Sequence, residues 1–247
     1  MRSPEIYLSF NEIMFYFTRA AVGGGVPFGL AEDFGRASIW IAASGLDPSG
    51  VAVKALNDLD CGNSCLKTNL IETNNEILLT AERSKKLSAI QVGAVACDLI
   101  SAQTEKQENI RYIIAKNVDY PFLVCAALGA SNCNGWEISW TTEYEIPYSV
   151  LICADGSWKS SWEFENMPEV IDPVDLKIMF FNRGKDFCEK WEGKTLYSVN
   201  IKKKVLETGV PVYDSWSEIY SFFKRCLVPS TKESRNKGAG AGLVDID

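Results

Sequence analysis

The amino-acid sequence predicts an α+β fold in which an N-terminal helical hairpin and a C-terminal helix pack on a mostly antiparallel sheet. Amphipathic segments joined by glycines fill residues 9–45, alternating apolar residues recur over 110–203, and another amphipathic segment follows Ser215. Because the strands come in a run rather than alternating with helices, α+β is favoured over a doubly wound parallel fold. We predict one domain over 1–247 with a soft boundary near 60–86; two small subdomains meeting at a cleft are the alternative.

The N-terminal hairpin carries the clearest local signals. Ser9 and Glu12 have the spacing of a capping box, and an apolar face with helical period follows them. Three glycines at 23–25 then end the first helix, since they permit positive φ and close backbone approach. A second helical face runs over 28–45, with Glu32 and Arg36 predicted as an i, i+4 pair on its polar side. A short helix is predicted near 51–59.

The middle of the chain is less regular. Residues 60–75 are rich in Asn, Gly, Ser and Thr, and we expect a surface loop there. Residues 87–102 are small and apolar and fit either a helix or a buried strand; length favours a helix over 93–101.

Strand signals dominate the second half. Alternation begins near Ile110, and two dipeptides, Asn134-Gly135 and Asp155-Gly156, are typical hairpin turns. Further strands are predicted over 176–181 and 195–203. Ser215 and Glu218 then repeat the capping-box spacing ahead of the C-terminal helix.

Composition excludes several classes of function. A net charge of -7 and a pI near 4.9 argue against a nucleic-acid partner, and the basic run Lys202 to Lys204 is interpreted as a solvated strand edge or turn. No apolar run approaches the roughly 20 residues that cross a membrane, so we expect no membrane partner. The N-terminus lacks the apolar centre of a secretory signal, which predicts a cytoplasmic location with all eight cysteines as free thiols.

The chain contains no histidine. Nucleophilic triads that need histidine are therefore excluded, and catalysis would depend on carboxylates, lysine, tyrosine, cysteine or a bound cofactor that the sequence does not identify. Cys61 and Cys65 resemble half of a zinc site, but no second pair has matching spacing, so we predict no metal.

The glycine-rich C-terminus suggests a site for an anion. Alternating glycine and alanine let backbone N–H groups converge, and an arginine fork suits a carboxylate or phosphate. The predicted ligand-binding residues are Ser234, Arg235, Gly238, Gly240 and Gly242. Asp98 and Asp245 are the predicted catalytic carboxylates; Asp98 is chosen because it is set among apolar residues, and burial raises an aspartate pKa. The alternatives are a mobile tail, an Arg235 that pairs with a nearby acid, and an Asp98 on the wet edge of a helix.

Motifs at the two ends resemble a proteobacterial family of unknown function. The N-terminal motif reads SFNEI followed by GGGVPFGLAEDFGRASIWIAASG, and the C-terminal motif reads VPSTKESRNKGAGAGLVDID. Members similar to this chain typically end in Asp-Asn-Asp, whereas this chain has Asp245-Ile246-Asp247. The resemblance implies an ordered tail without naming an activity. Docking of that tail beside the helical hairpin would place Arg235 near Glu32 or Asp33.

Two functions fit these observations. The first is binding of a small anionic metabolite, with enzymatic use of carboxylate and arginine chemistry. The second is a non-catalytic homo-oligomer whose contact is an aromatic surface formed by Trp136, Trp140, Trp158 and Trp162. A concave pocket lined by charged groups favours the first function, and a flat aromatic patch favours the second.

Overall fold

The computed structural model describes residues 6–73, 76–82, 85–106, 112–131, 135–153, 157–162, 173–180, 191, 193–195, 199–213 and 215–227. These residues form an α+β fold with helices packed on a mixed, mostly antiparallel sheet, as the sequence predicts. The helices are α1 Phe10–Gly23, α2 Phe28–Ala43, α3 Ser49–Asp60, α4 Ala89–Lys106, α5 Pro121–Ala130, α6 Val199–Thr208 and α7 Trp216–Lys224.

The strands form one large sheet and one short ribbon. They are β1 Ile6–Leu8, β2 Ser64–Cys65, β3 Thr68–Glu72, β4 Glu76–Ala81, β5 Lys86–Leu87, β6 Tyr112–Val118, β7 Trp136–Thr141, β8 Pro147–Ile152, β9 Trp158–Ser160, β10 Val174–Phe180, β11 Lys194–Thr195 and β12 Val210–Val212. The large sheet has the order β11-β9-β8-β7-β10-β6-β4-β3, with β5 also paired to β6 and β2 paired to β5. β1 and β12 form the separate antiparallel ribbon.

Strand direction divides the large sheet into two parts. The pairs from β11 to β6 are antiparallel, as is β3 with β4. The pairs β4–β6, β5–β6 and β2–β5 are parallel. One region of a mostly antiparallel sheet therefore has the strand–helix connections of an α/β protein.

The capping box of α1 is confirmed. The Ser9 hydroxyl accepts from the Glu12 backbone N–H at 3.3 Å, and the Glu12 carboxylate accepts from the Ser9 backbone N–H at 2.7 Å. The preceding Leu8 is buried, so the chain enters the helix from the core. These contacts satisfy backbone donors that the first turn of a helix leaves unpaired.

The glycines that end α1 have a packing reason at Gly23. A Cβ atom at that position would clash with the backbone carbonyl of Phe222 in α7, and a backbone atom cannot move aside as a side-chain end could. Close backbone approach at this glycine is thus confirmed, and the neighbour that requires it is α7.

The core lies between one face of the large sheet and the helices α2, α4 and α5. Alternate residues of the central strands are buried on that face, as a half-buried sheet demands. Buried members include Ile77, Leu79, Ile113, Ile138 and Trp158. The helix α2 packs on both α1 and α5, which joins the N-terminal hairpin to the sheet.

Several predicted elements are wrong. Residues 60–75 are not a loop throughout, because β2 and β3 lie within them and β3 pairs with β4. The segment 195–203 is helical in α6 from residue 199, and Lys202 to Lys204 are exposed on that helix. Asn134-Gly135 does not join two paired strands, since α5 precedes β7 and the partners of β7 are β8 and β10.

Two polar contacts also differ from the prediction. Ser215 stands at the start of α7 in a helical conformation and makes no side-chain capping bond, although the helix forms as predicted. Arg36 was predicted to pair with Glu32, but its guanidinium contacts the Asp33 carboxylate, with 2.7 Å between nitrogen and oxygen. The predicted hairpin between β8 and β9 is present as a pairing of Ile152 with Trp158, although the turn itself lies outside the described residues.

The four tryptophan rings expected to form an exposed oligomer contact lie in or against the core. Trp136, Trp140 and Trp158 are at most 5% exposed, and Trp162 packs against the core. The Trp158 indole N–H donates to the Ser44 hydroxyl at 3.0 Å, inside the core. A flat exposed patch made of these four rings is therefore wrong, because three of the rings are buried.

Within the described residues, every helix falls short of the length and apolar character that a bilayer crossing requires.

Candidate functional site

Polar groups concentrate where the parallel strands meet their helices. β5 leads into α4 and the adjacent parallel β6 leads into α5, so the amino termini of both helices lie at the same edge of the sheet. The carboxyl edge of parallel strands is where ligands bind in open α/β sheets. We define the junction site by Asp58, Ser64, Lys86, Asp119 and Tyr120.

Asp119 forms the buried part of the junction site. The residue is 3% exposed and follows the last residue of β6. One carboxylate oxygen accepts from the Ala89 backbone N–H at 2.6 Å, at the first residue of α4, and the other accepts from the Ser64 hydroxyl. The carboxyl group therefore joins β6, β2 and the amino end of α4.

Burial raises the pKa of Asp119 from its usual 3.8 to about 6. Removal from water disfavours the charged form and is the largest cause. The hydrogen bonds from Ser64 and Ala89 lower the pKa in part, the negative charge of Asp58 raises it, and the positive charge of Lys86 lowers it. This carboxyl group thus exchanges its proton near neutral pH.

The accessible part of the junction site is built on Asp58, in the last turn of α3. One carboxylate oxygen of Asp58 accepts from the Tyr120 hydroxyl at 3.0 Å and from the Lys86 ammonium at 3.3 Å. The Lys86 side chain is 31% exposed and that of Asp58 is 16% exposed. Burial and the bond to Asp58 raise the pKa of Tyr120, so its phenol stays protonated and acts as a donor to the carboxylate.

The backbone at this site is strained. Tyr120 has φ 37° and ψ 62°, a left-handed conformation that is costly for a bulky residue, and Asn117 has φ 57°. The Asn117 backbone N–H donates to Asp175 at 3.0 Å, and its side-chain amide donates to the Lys85 carbonyl at 3.0 Å. Conformations of this kind persist where surrounding contacts hold them, and they cluster at functional sites.

The predicted site residues do not meet at this junction. Asp98 lies on α4, but its side chain is exposed, so the apolar surroundings assumed for it are wrong. The aspartate with a raised pKa is Asp119, which was not among the predicted site residues. Asp245 and the predicted ligand-binding residues lie outside the described residues; they are Ser234, Arg235, Gly238, Gly240 and Gly242.

Sequence reasoning missed the junction site because it assumed an antiparallel sheet. A usable signal was present: Asp119 and Tyr120 stand between an alternating strand and Pro121, a residue favoured at the first helical position. A strand followed at once by such a helix start is typical of a β–α connection.

Six of the eight cysteines lie in the described residues, and each is a free thiol. Among the same residues, no group of three or more Cys, Asp or Glu side chains has the arrangement of a metal site.

Comparison with protein families gives one partial match. Residues 8–61 match a family described as a protein of unknown function (DUF3726). This match agrees with the resemblance to an uncharacterised family, over the N-terminal hairpin and α3. No curated protein matches the chain.

Several solved structures with a similar fold are named as dehydrogenases. Malate dehydrogenase from Pyrococcus horikoshii OT3 is 11% identical and has a TM-score of 0.64, with 94% of this chain and 99% of that chain covered. A dehydrogenase from Sinorhizobium meliloti is 10% identical with a TM-score of 0.61, covering 88% and 99%. Sulfolactate dehydrogenase from Methanocaldococcus jannaschii is 11% identical with a TM-score of 0.55, covering 90% and 96%. At these identities the likeness establishes a shared fold.

Proposed function

We propose that the protein binds a small organic anion that carries a hydroxyl group, and that the junction site is where it binds. The observation that carries this proposal is the shared carboxylate oxygen of Asp58, which holds the Tyr120 phenol and the Lys86 ammonium side by side. Both groups retain capacity for a ligand, since an ammonium has three donors and a phenol oxygen also accepts.

The two side chains suit the two ends of a hydroxy acid. Lys86 is partly exposed, so its remaining N–H donors can bind a ligand carboxylate with a charge-assisted hydrogen bond. A ligand hydroxyl can donate to the Tyr120 oxygen while the phenol donates to Asp58. This arrangement gives a path for a proton from the ligand hydroxyl through the phenol to the Asp58 carboxylate, in a chain without histidine.

The ligand class also fits the names of proteins with this fold. Two of the similar structures are a malate dehydrogenase and a sulfolactate dehydrogenase, named for acids that combine a hydroxyl with anionic groups. These names support the class of ligand, and the contacts of Asp58, Lys86 and Tyr120 support the position of the site.

The C-terminal residues Ser234 and Arg235 remain predicted contacts for the same anion, and Asp245 remains a predicted catalytic carboxylate. Arginine would add a bidentate contact that lysine cannot make. They are a separate part of the proposal, since the contacts of Asp58, Lys86 and Tyr120 do not depend on them.

The test is a calorimetric titration with malate, lactate and succinate. We expect malate to bind, and succinate, which has the same two carboxylates without the hydroxyl, to bind more weakly. Lys86→Met should weaken malate binding at least tenfold because it removes the ammonium. Tyr120→Phe should abolish the preference for malate over succinate while leaving succinate binding unchanged.

Lys67→Met is the matched control, because Lys67 is exposed in an ion pair with Glu82 and is not one of the residues that define the junction site. Failure of the wild-type protein to bind malate or lactate would contradict the proposal. Equal effects of Lys86→Met and Lys67→Met would also contradict it.

A further inference from the structure

An open groove of about 880 Å³ lies on the large sheet, over β7, β8 and β10. Its volume is within the range of about 300–1,000 Å³ that is usual for small-molecule sites. The residues that line this groove, among them Asp175, do not include those that define the junction site. The groove is therefore a second candidate for binding.

A row of polar residues crosses the floor of this groove. Lys177 of β10 is opposite Ser139 of β7, and Ser139 is opposite Ser149 of β8. The Ser149 backbone N–H donates to the Ser161 hydroxyl at 2.9 Å, so that hydroxyl can direct its own proton to a ligand. Directly opposite residues lie on the same face of a sheet, which brings a cation and three hydroxyls into one line.

The charges beside this row have both signs. Lys177 contacts the Tyr112 ring at 4.8 Å, and within the described residues its ammonium has no carboxylate partner. Asp175 is already neutralised, because its carboxylate accepts from Lys116 at 2.6 Å and from the Asn117 backbone. Glu137 lies two residues from Ser139 on the same strand face, about 7 Å along the strand. In the part of the chain that the structure describes, Glu137 forms no ion pair.

One buried hydrogen-bonding group also belongs to the groove. Thr142 lines the groove, and its hydroxyl is buried without a partner among the described residues. Most buried polar atoms in proteins are hydrogen-bonded, so this unpaired hydroxyl supports a groove that receives polar atoms.

We propose that the groove binds a small zwitterion of the amino-acid class. Lys177 and the serine hydroxyls bind the carboxylate, and Glu137 binds the ammonium. A simple anion would leave Glu137 facing it with like charge, and a simple cation would do the same with Lys177. A ligand with both charges satisfies both side chains.

The experiment is a thermal-shift series with each of the proteinogenic L-amino acids, followed by calorimetry on the one that raises the melting temperature most. Its deaminated acid and its decarboxylated amine are titrated in parallel. We expect the amino acid to bind at least tenfold more tightly than either analogue. Lys177→Met and Glu137→Gln should each weaken amino-acid binding at least tenfold, while Glu137→Gln leaves binding of the deaminated acid unchanged.

Lys202→Met and Glu207→Gln are matched controls, since both residues are exposed on α6, away from the groove. Binding of no amino acid, or equal binding of the deaminated acid together with no effect of Glu137→Gln, would overturn the proposal. Lys86→Met should leave amino-acid binding unchanged. Amino-acid binding in the groove is therefore tested independently of malate binding at the junction site.

Discussion

Replacing Asp119 with asparagine should change how the free energy of unfolding depends on pH. The amide keeps an oxygen that can accept from the Ala89 backbone, and its nitrogen can donate to the Ser64 hydroxyl, so both contacts of the carboxyl group have a substitute. The asparagine side chain, however, has no acidic proton and does not titrate.

The magnitude follows from the raised pKa. In the unfolded chain Asp119 titrates near its usual pKa of 3.8, and in the native protein near 6. Between these values the native state binds a proton that the unfolded state does not, so stability falls as pH rises. At about 1.4 kcal/mol for each tenfold change in proton affinity, the stabilisation present below pH 3.8 and lost above pH 6 is about 3 kcal/mol.

Urea denaturation of the wild-type protein and Asp119→Asn at intervals from pH 4 to pH 7.5 measures the effect. The free energy of unfolding of the wild type, minus that of the variant, should fall by about 2.5 kcal/mol across this range, since about 0.5 kcal/mol of the total is already lost at pH 4 and contributions from other groups cancel in the difference. Ser64→Ala removes a hydrogen bond that lowers the pKa of Asp119 and should therefore move the fall to higher pH. A difference that stays constant or rises with pH would refute the reasoning.

Two further predictions concern the N-terminal hairpin. Ser9→Ala should lower the free energy of unfolding by about 0.5–2 kcal/mol in urea denaturation, since it removes the helix cap; an unchanged midpoint would contradict the cap. Gly23→Ala should destabilise by about 1–3 kcal/mol, because its methyl group meets backbone of α7. The matched control is Gly29→Ala in α2, where nothing lies within 4 Å of the added methyl group and no loss is expected. Equal losses at both glycines would show that backbone approach is not the reason.

The helical hairpin could be predicted because its signals are local. Ser9 and Glu12 are three residues apart, and the apolar positions of α1 and α2 repeat within one turn. Whether a segment forms such a helix depends little on what lies far away in sequence. The third amphipathic segment, α7, was predicted for the same reason.

The helix α5 was missed because it has no polar face. Seven of its ten residues are buried, from Pro121 to Leu128, so the apolar residues show no period that distinguishes helix from strand. The helix α6 was predicted to be a strand for a different reason. The residues around Ile201 include β-branched and charged side chains, a composition typical of a strand edge. In the structure Val205 is buried and the lysines face solvent.

The junction site could not be predicted because its contacts are long-range. Asp58 meets Tyr120 and Lys86, and Ser64 meets Asp119, only after β2, β5 and β6 have paired in parallel. Parallel pairing leaves no local turn signal in the sequence, since its partners are joined by long crossovers. The sequence did predict that a buried aspartate would hold a raised pKa, but Asp98 looked more buried than Asp119 on the apolar character of its neighbours alone.

The position of Asp119 also shows which electrostatic effect is larger at the end of β6. The amino end of α4 and the Ser64 hydroxyl both favour a charged carboxylate, since each directs a hydrogen toward it. The pKa is nevertheless near 6, so the cost of removing the charge from water exceeds what these donors return. Directing Asp119 inward and starting α5 at Pro121 leaves a single residue, Tyr120, to turn the chain. Its left-handed backbone points to that constraint, and the same turn brings its phenol to Asp58, where the proposed ligand would meet it.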